Sequence, residues 1–190
     1  WSLSAMNTGK FSWPLNKPYP SLTHEEEDNI HITNELFLAA LAWIIHHERA
    51  HVWLEHSNVD PSDSVRQEKE ADTDATEWVM HACANELERQ KRAFGIAIAV
   101  LAMALVDNPR DVDPDVITHP PSAERLFENI DIAGLSEDNI VYAFCTVVLQ
   151  FCIGQYTQAP AADGAGDSMQ EIFTKFLIEY RTRLRKRSEA

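Results

Sequence analysis

Two histidines four residues apart flank a glutamate in an H-E-x-x-H segment formed by His47, Glu48 and His51. In a helix, side chains at positions i and i+4 project from the same face, so both imidazoles can bind one Zn²⁺. Glu48 follows the first histidine without sharing its stripe, which is where a general base for an attacking water belongs. At about 100° per residue, the histidine stripe also carries apolar residues and is predicted to face the interior. These apolar residues are Leu36, Ala40, Trp43, Ile44 and Leu54.

A third ligand is expected from the next helix, where two carboxylate pairs have i,i+4 spacing. The pairs are Glu68 with Asp72 and Glu70 with Asp74. The hydrophobic period decides between them, because it defines a buried face formed by Ala71, Ala75, Trp78, Val79 and Ala82. Glu68 falls within that face and Asp72 at its edge. A buried carboxylate costs several kcal/mol unless it is paired or binds a metal. Glu68 is therefore the predicted third ligand, and Asp72 the predicted acceptor for a ring N–H of a ligand histidine.

A third histidine closely following the motif is the rival ligand, as in H-E-x-x-H-x-x-G-x-x-H. In this chain Leu54 stands where that pattern has glycine, and His56 comes one residue too early. Continued as a straight helix, the segment also carries His56 to the side opposite the first two histidines. The sequence therefore predicts that His56 is not a ligand.

His119 closes a loop of four prolines, residues 107–121, and Arg125 follows in the first turns of the next helix. A loop histidine could donate a hydrogen bond to the oxyanion of a tetrahedral intermediate, or cap the open position of the zinc. Arg125, like Asp72, is predicted to support the site from behind the metal ligands. The alternative for both His119 and Arg125 is a structural role in bracing the loop and capping the helix. The residue types alone leave these alternatives open.

The elements that must position these side chains are helices. Thr33 is the predicted N-cap of a helix reaching His56, and its first half is apolar nearly all round, which is typical of a central, buried helix. Further helices are predicted over about 64–84, 85–106, 122–129, 136–157 and 168–186. The predicted class is mainly α, with at most a short edge strand at 30–32. Residues 1–32 are expected to form an irregular arm, and residues 33–190 a helical zinc metallopeptidase domain.

The composition and charge of the chain argue against several classes of protein. The chain has 190 residues, 45% of them hydrophobic, which is enough for one folded domain. Its net charge of −14 argues against a nucleic-acid partner, which requires a cationic surface. The longest uncharged apolar runs, 93–106 and 140–153, are shorter than the ~20 residues of a membrane span. Three cysteines are too few for a disulfide framework and predict free thiols in a reducing, cytoplasmic setting.

Three motifs together resemble a known peptidase class. They are His47-Glu48-x-x-His51, Glu68-x-x-Ala71-Asp72 and Thr118-His119-Pro120-Pro121-x-x-x-Arg125, an order similar to the gluzincin metallopeptidases of the M48 type. The run Glu-Ala-Asp-x-x-Ala-x-Glu-Trp, followed by His-Pro-Pro-x-x-Glu-Arg-Leu, resembles the phage-exclusion Lit-type peptidases of family U49. The resemblance covers about residues 47–127 and implies a zincin-like helical fold and a cytoplasmic zinc endopeptidase acting on a protein target in phage defence. Arg49 departs from it, since these families usually carry an apolar residue there.

The predicted function is hydrolysis of a peptide bond by a zinc enzyme in which Glu48 is the general base. One alternative is a binding or regulatory module with a catalytically silent zinc site, although such a site has no need of Glu48. Another is a peptidase that becomes active only with an activating partner. The sequence does not separate a partner-activated enzyme from a constitutive one.

Overall fold

The computed structural model describes residues 29–56, 61–106, 122–156 and 166–188. These residues form six α-helices, and no strand occurs among them. The helices are α1 (Asn29–Trp53), α2 (Pro61–Met80), α3 (Glu86–Val106), α4 (Ser122–Ile132), α5 (Ile140–Tyr156) and α6 (Met169–Ser188). The mainly α class predicted from the sequence is confirmed.

Helix α1 begins earlier than the predicted cap at Thr33. Residues 30–32, where the sequence allowed at most a short strand, lie in its first turn and are helical. A strand of three residues needs a neighbouring strand for its hydrogen bonds, whereas a helix satisfies its own. The ring of His31 also lies 3.3 Å from the Glu35 carboxylate one turn later, a pairing that favours the helix. The chain divides into two compact units at Glu35, so the described part of the first unit is the start of α1.

The core of the second unit, residues 36–190, lies among the later helices. Helix α5 packs along α6, α3 along α4, and α4 also contacts α2. The largest fully buried apolar side chains include Ile96, Leu126, Ile130, Leu149, Phe173 and Leu177. Burial of each such side chain contributes about 1.5–3 kcal/mol to stability. This core fixes α4 beneath α2, which matters for the site because α4 carries Arg125.

Helix α1 approaches α3 closely at Gly95. A β-carbon at this position would lie 2.9 Å from the backbone carbon of Ala39 and 2.9 Å from the backbone nitrogen of Ala40. Real β-carbons essentially never come that near to backbone atoms. Glycine is therefore required for the two helix backbones to meet, and the contact anchors α1 beside the core.

Helix α1 is not buried all round, contrary to the expectation for its first half. Several of its apolar side chains are more than a third exposed, among them Phe37, Leu38, Leu41, Ile44 and Ile45. Leu54, also predicted to face the interior, follows the end of the helix and is more than a third exposed as well. The described helices contact it along the side that carries Ala40, Trp43 and His47, which are buried. On α2, Trp78 is likewise half exposed and Ala82 lies beyond the helix end, so two residues of the predicted buried face do not lie on it.

The two uncharged apolar runs found in the sequence lie in α3 and α5. Both helices contribute to the core, with Ile96 and Val100 from α3 and Val141 and Leu149 from α5. Within the described ranges, no helix has the combined length and apolar character needed to cross a membrane.

Candidate active site

Helices α1 and α2 run antiparallel where the predicted site residues meet. Three successive turns of α1 contact three successive turns of α2 in reverse order. The contacting pairs are Trp43 with Thr76, His47 with Asp72, and His51 with Glu68. The register deduced from the hydrophobic period is therefore observed for Glu68 and Asp72, which are both buried.

Three donor atoms converge at this contact. Nε2 of His47 lies 3.1 Å from Nε2 of His51 and 3.4 Å from Oε2 of Glu68, and Nε2 of His51 lies 3.5 Å from Oε1 of Glu68. Ligands around a tetrahedral zinc with bonds of about 2.0–2.1 Å are separated by ~3.3 Å. The three residues form a group that could hold a metal ion, with His47 and Glu68 buried and His51 half-buried.

The second ring nitrogen of His47 faces Asp72. Nδ1 lies 2.9 Å from Oδ1 of Asp72, although the in-plane N–H direction is not well aligned with the oxygen. Burial lowers the pKa of His47, but the carboxylates of Asp72 and Glu68 outweigh it and raise the pKa to about 9. Metal-free His47 is therefore a cation at neutral pH, held between two carboxylates.

Arg125, on α4, binds the carboxylate of Asp72. Its Nε donates a hydrogen bond of 2.7 Å to Oδ2 of Asp72, and one terminal nitrogen donates a hydrogen bond of 2.7 Å to Oδ1. The other terminal nitrogen lies 3.4 Å from Oε2 of Glu68. Burial acts to raise the pKa of Asp72, but His47 and Arg125 outweigh it and hold the pKa below its usual range. Asp72 therefore stays ionised.

A buried polar chain continues beneath this ion pair. The Asn129 amide donates to the Arg125 carbonyl at 2.8 Å and to Asp72 at 3.4 Å. The Thr76 hydroxyl donates to the Asn129 side-chain oxygen, and the Trp43 indole donates to Thr76 at 2.8 Å. Trp43, Thr76 and Asn129 are almost fully buried. Trp43 was predicted to face the interior, but Thr76 and Asn129 were not predicted from the sequence. The signal they offer there is a polar residue within an apolar helical stripe, which is weak taken alone.

Glu48 is exposed on α1, next to the buried His47. Burial and then the charge of His47 lower the pKa of His51, while the carboxylates of Glu68 and Glu48 act to raise it. Glu48 is thus close enough to influence His51 electrostatically while its own side chain reaches solvent. Arg49 pairs instead with Asp74, at 3.5 Å, on a different side of α1, as its helical position predicts.

His56 was placed on the far side of α1 by the sequence argument, and this was wrong. The helix ends at Trp53, and Glu55 has a left-handed backbone with φ of 55°. The backbone amide of Glu55 donates to the carbonyl of Val52 at 3.3 Å, and the backbone amide of His56 donates to the carbonyl of His51 at 3.0 Å. This pair of bonds is a Schellman C-cap. It ends the helix before His56 and places Nδ1 of His56 2.9 Å from Nδ1 of His51.

The charges of the buried group favour a bound cation. With both ligand imidazoles neutral, Glu68 and Asp72 supply two negative charges against the single positive charge of Arg125. A buried excess of negative charge is costly unless a cation neutralises it. In the metal-free protein a proton on His47 fills this role, and a divalent metal ion could replace it.

A cleft of about 650 Å³ follows the outer face of α2 between Val65 and Glu77 and reaches Leu54, but no donor residue lines it. His119, the predicted oxyanion donor or zinc cap, falls outside the described residues. Its role therefore stays a prediction.

Comparison with known proteins shows the family to which this chain belongs. The sequence matches the family described as Peptidase U49 over residues 1–145. The Cell death peptidase of Escherichia coli (strain K12) is 37% identical over 147 residues, which are 76% of this chain and 48% of that protein. The chain thus spans about half the length of this relative, and no solved structure matches it. Both a family match over most of the chain and a relative of this similarity lead to one conclusion: the chain belongs to the Peptidase U49 family.

Proposed function

We propose that this chain is a zinc-dependent peptidase that hydrolyses a peptide bond within a protein substrate. The observation that carries the proposal is the convergence of two imidazole nitrogens and a carboxylate, all within 4.8 Å, at the contact of α1 and α2. Catalytic zinc sites commonly use three protein ligands of these types. Membership of a peptidase family supports the reaction class.

The roles of the residues follow from their positions. His47, His51 and Glu68 would hold the zinc, which when bound acts as a Lewis acid on the substrate carbonyl and makes water a better nucleophile at neutral pH. Glu48 is the proposed general base, taking a proton from the attacking water at its carboxylate and passing it to the leaving amine. A base has to meet both water and substrate, and the exposure of Glu48 is consistent with this.

Asp72 and Arg125 act behind the ligands. Asp72 faces Nδ1 of His47 and would orient that ring so that Nε2 is turned to the metal. Arg125 is almost fully buried, so its contribution is to hold Asp72 and balance its charge rather than to meet substrate. This assigns both residues to positioning rather than to the chemical step.

The biological setting extends the proposal. A role in phage defence rests on the resemblance of the motifs to the Lit-type peptidases, and a cytoplasmic location on the free thiols of Cys83 and Cys145. A protein target fits a relative named Cell death peptidase. Activation by a partner is compatible with the same site, because a partner would act on access rather than on the ligand set.

Cleavage profiling with a matched variant tests the proposal. Purified wild type and Glu48→Gln, each assayed for zinc, are incubated with bacterial extract, and newly formed protein N-termini are identified by mass spectrometry. We expect zinc in both, cleavage by wild type only, and loss of cleavage on chelation. Glu77→Gln, an exposed carboxylate on α2, serves as the control and should cleave normally. Equal cleavage by Glu48→Gln would contradict the mechanism, and zinc without cleavage would favour the silent module or the partner-activated enzyme.

A further inference from the structure

His51 needs a partner at its second ring nitrogen if its first binds zinc. Nε2 of His51 is turned toward His47 and Glu68, so a metal bound there uses the Nε2 lone pair. A neutral imidazole with a free Nε2 carries its proton on Nδ1. That N–H must then find an acceptor, because a half-buried donor left unpaired is costly.

His56 supplies an acceptor at the right atom. Its Nδ1 lies 2.9 Å from Nδ1 of His51, within hydrogen-bonding distance, and the two rings meet edge to face with centroids 5.0 Å apart. The side chain of His56 is only 6% exposed, so water does not compete freely for the contact. The position depends on the left-handed turn at Glu55, not on the helical stripe.

The other nitrogen of His56 leads to a carboxylate. Nε2 lies 3.1 Å from Oε2 of Glu70, and Glu70 in turn accepts a hydrogen bond of 2.6 Å from Arg66. One assignment of protons satisfies every contact: Nδ1–H of His51 donates to Nδ1 of His56, and Nε2–H of His56 donates to Glu70. Both ligand histidines then face a carboxylate, His47 directly through Asp72 and His51 through His56.

We propose that His56 is a positioning residue for the metal site, fixing the tautomer and ring orientation of His51 and linking it to Glu70. The inference rests on the proposed zinc site, but it concerns a residue that the ligand motif does not contain. Hydrogen-bond partners of metal ligands typically contribute 10–100-fold in metal affinity. Loss of the acceptor on His56 should therefore weaken zinc binding without removing any ligand.

Two substitutions of similar polarity separate the two sides of the His56 ring. Asparagine carries its amide near the position of Nδ1, so His56→Asn keeps an acceptor for His51 and loses the link to Glu70. Glutamine reaches nearer the position of Nε2, so His56→Gln keeps the link to Glu70 and loses the acceptor. His56→Leu loses both. His81→Leu, at an exposed histidine after α2, is the control.

The experiment measures zinc affinity by competition with a chromophoric chelator, together with the visible spectrum of the cobalt-substituted protein. We expect His56→Leu and His56→Gln to bind zinc about 10–100-fold more weakly than wild type. We expect His56→Asn and His81→Leu to stay close to wild type. The cobalt bands should shift in the leucine and glutamine variants and not in the asparagine variant, a signature that a purely structural role would not produce.

The outcomes separate this inference from the proposed function. Equal zinc affinity in His56→Asn and His56→Gln would overturn the positioning role, and so would wild-type affinity in His56→Leu. Thermal unfolding of each metal-free variant identifies any that fails to fold, and the asparagine and glutamine pair still decides if leucine is not tolerated. Absence of zinc from wild type would instead overturn the proposed function itself.

Discussion

Arg125 and Asp72 form a bidentate ion pair, with two hydrogen bonds of 2.7 Å between α4 and α2. Both side chains are almost fully buried. Breaking such a pair by removing one partner costs about 3–5 kcal/mol, because the remaining charge stays buried. The pair thus couples the folding of α4 to the orientation of the proposed zinc ligand His47.

Arg125→Leu should therefore lower the free energy of unfolding of the zinc-free protein by about 3–5 kcal/mol. Urea denaturation followed by circular dichroism measures this directly. Arg181→Ala, which removes a partly exposed pair with Glu124, should cost only about 0–1 kcal/mol. Similar losses in the two variants would mean that the buried pair is no more important than a surface one.

The pH dependence of the zinc-free protein should report His47. Burial lowers its pKa, but Asp72 and Glu68 raise it from the ordinary 6.5 to about 9. A raised pKa means that protonated His47 stabilises the fold fully below about pH 6.5, and that this stabilisation is lost as the pH rises through about 9. Unfolding free energies measured with a chelator should fall across this interval in wild type and much less in His47→Gln. Parallel pH profiles for the two proteins would count against this assignment.

Gly95 should not tolerate a side chain. A β-carbon there would lie 2.9 Å from backbone atoms of Ala39 and Ala40, so Gly95→Ala forces α1 and α3 apart. We expect a loss of about 1–3 kcal/mol in unfolding free energy, typical of an overpacked contact. Leu87→Ala, at an exposed position of the same helix, should change stability by less than about 0.5 kcal/mol. If Gly95→Ala left the unfolding free energy unchanged or raised it, the backbones of α1 and α3 would be further apart than this contact requires.

Much of this arrangement could be predicted from the sequence, because it depends on helical periodicity. The period of α2 selected Glu68 over Glu70, and the structure buries Glu68 beside His47 and His51. The role of His56 could not be predicted in this way. Its position depends on where α1 ends and on the left-handed conformation of Glu55, a residue that rarely adopts it.

The environment of α1 was also beyond the reach of the sequence pattern. An apolar surface nearly all round the helix predicts burial, yet Phe37 and Leu38 are more than half exposed. Hydrophobic character states what a side chain would gain from burial, not which element packs against it. The contact between Asp72 and Arg125 is a second example. These residues are 53 positions apart, and only the packing of α4 under α2 brings them together.

The role of His119 stays a prediction, and the direction of the change in activity on its removal tests it. As an oxyanion donor, its loss in His119→Ala should lower kcat by on the order of 10²-fold with zinc affinity nearly unchanged. As a cap on the zinc, its loss should weaken zinc binding modestly and raise basal activity. Steady-state kinetics on a cleaved substrate, together with zinc titration, distinguishes the two. No change in either quantity would leave His119 with the loop-bracing role alone.

The central claim is that His47, His51 and Glu68 hold one zinc ion, and the zinc content of the purified chain tests it most directly. Inductively coupled plasma mass spectrometry after dialysis should find about one zinc per chain in wild type and in Glu77→Ala. Glu68→Ala, His47→Ala and His51→Ala should each lose most of it. Wild type without zinc, or Glu68→Ala retaining zinc as tightly as wild type, would contradict the account.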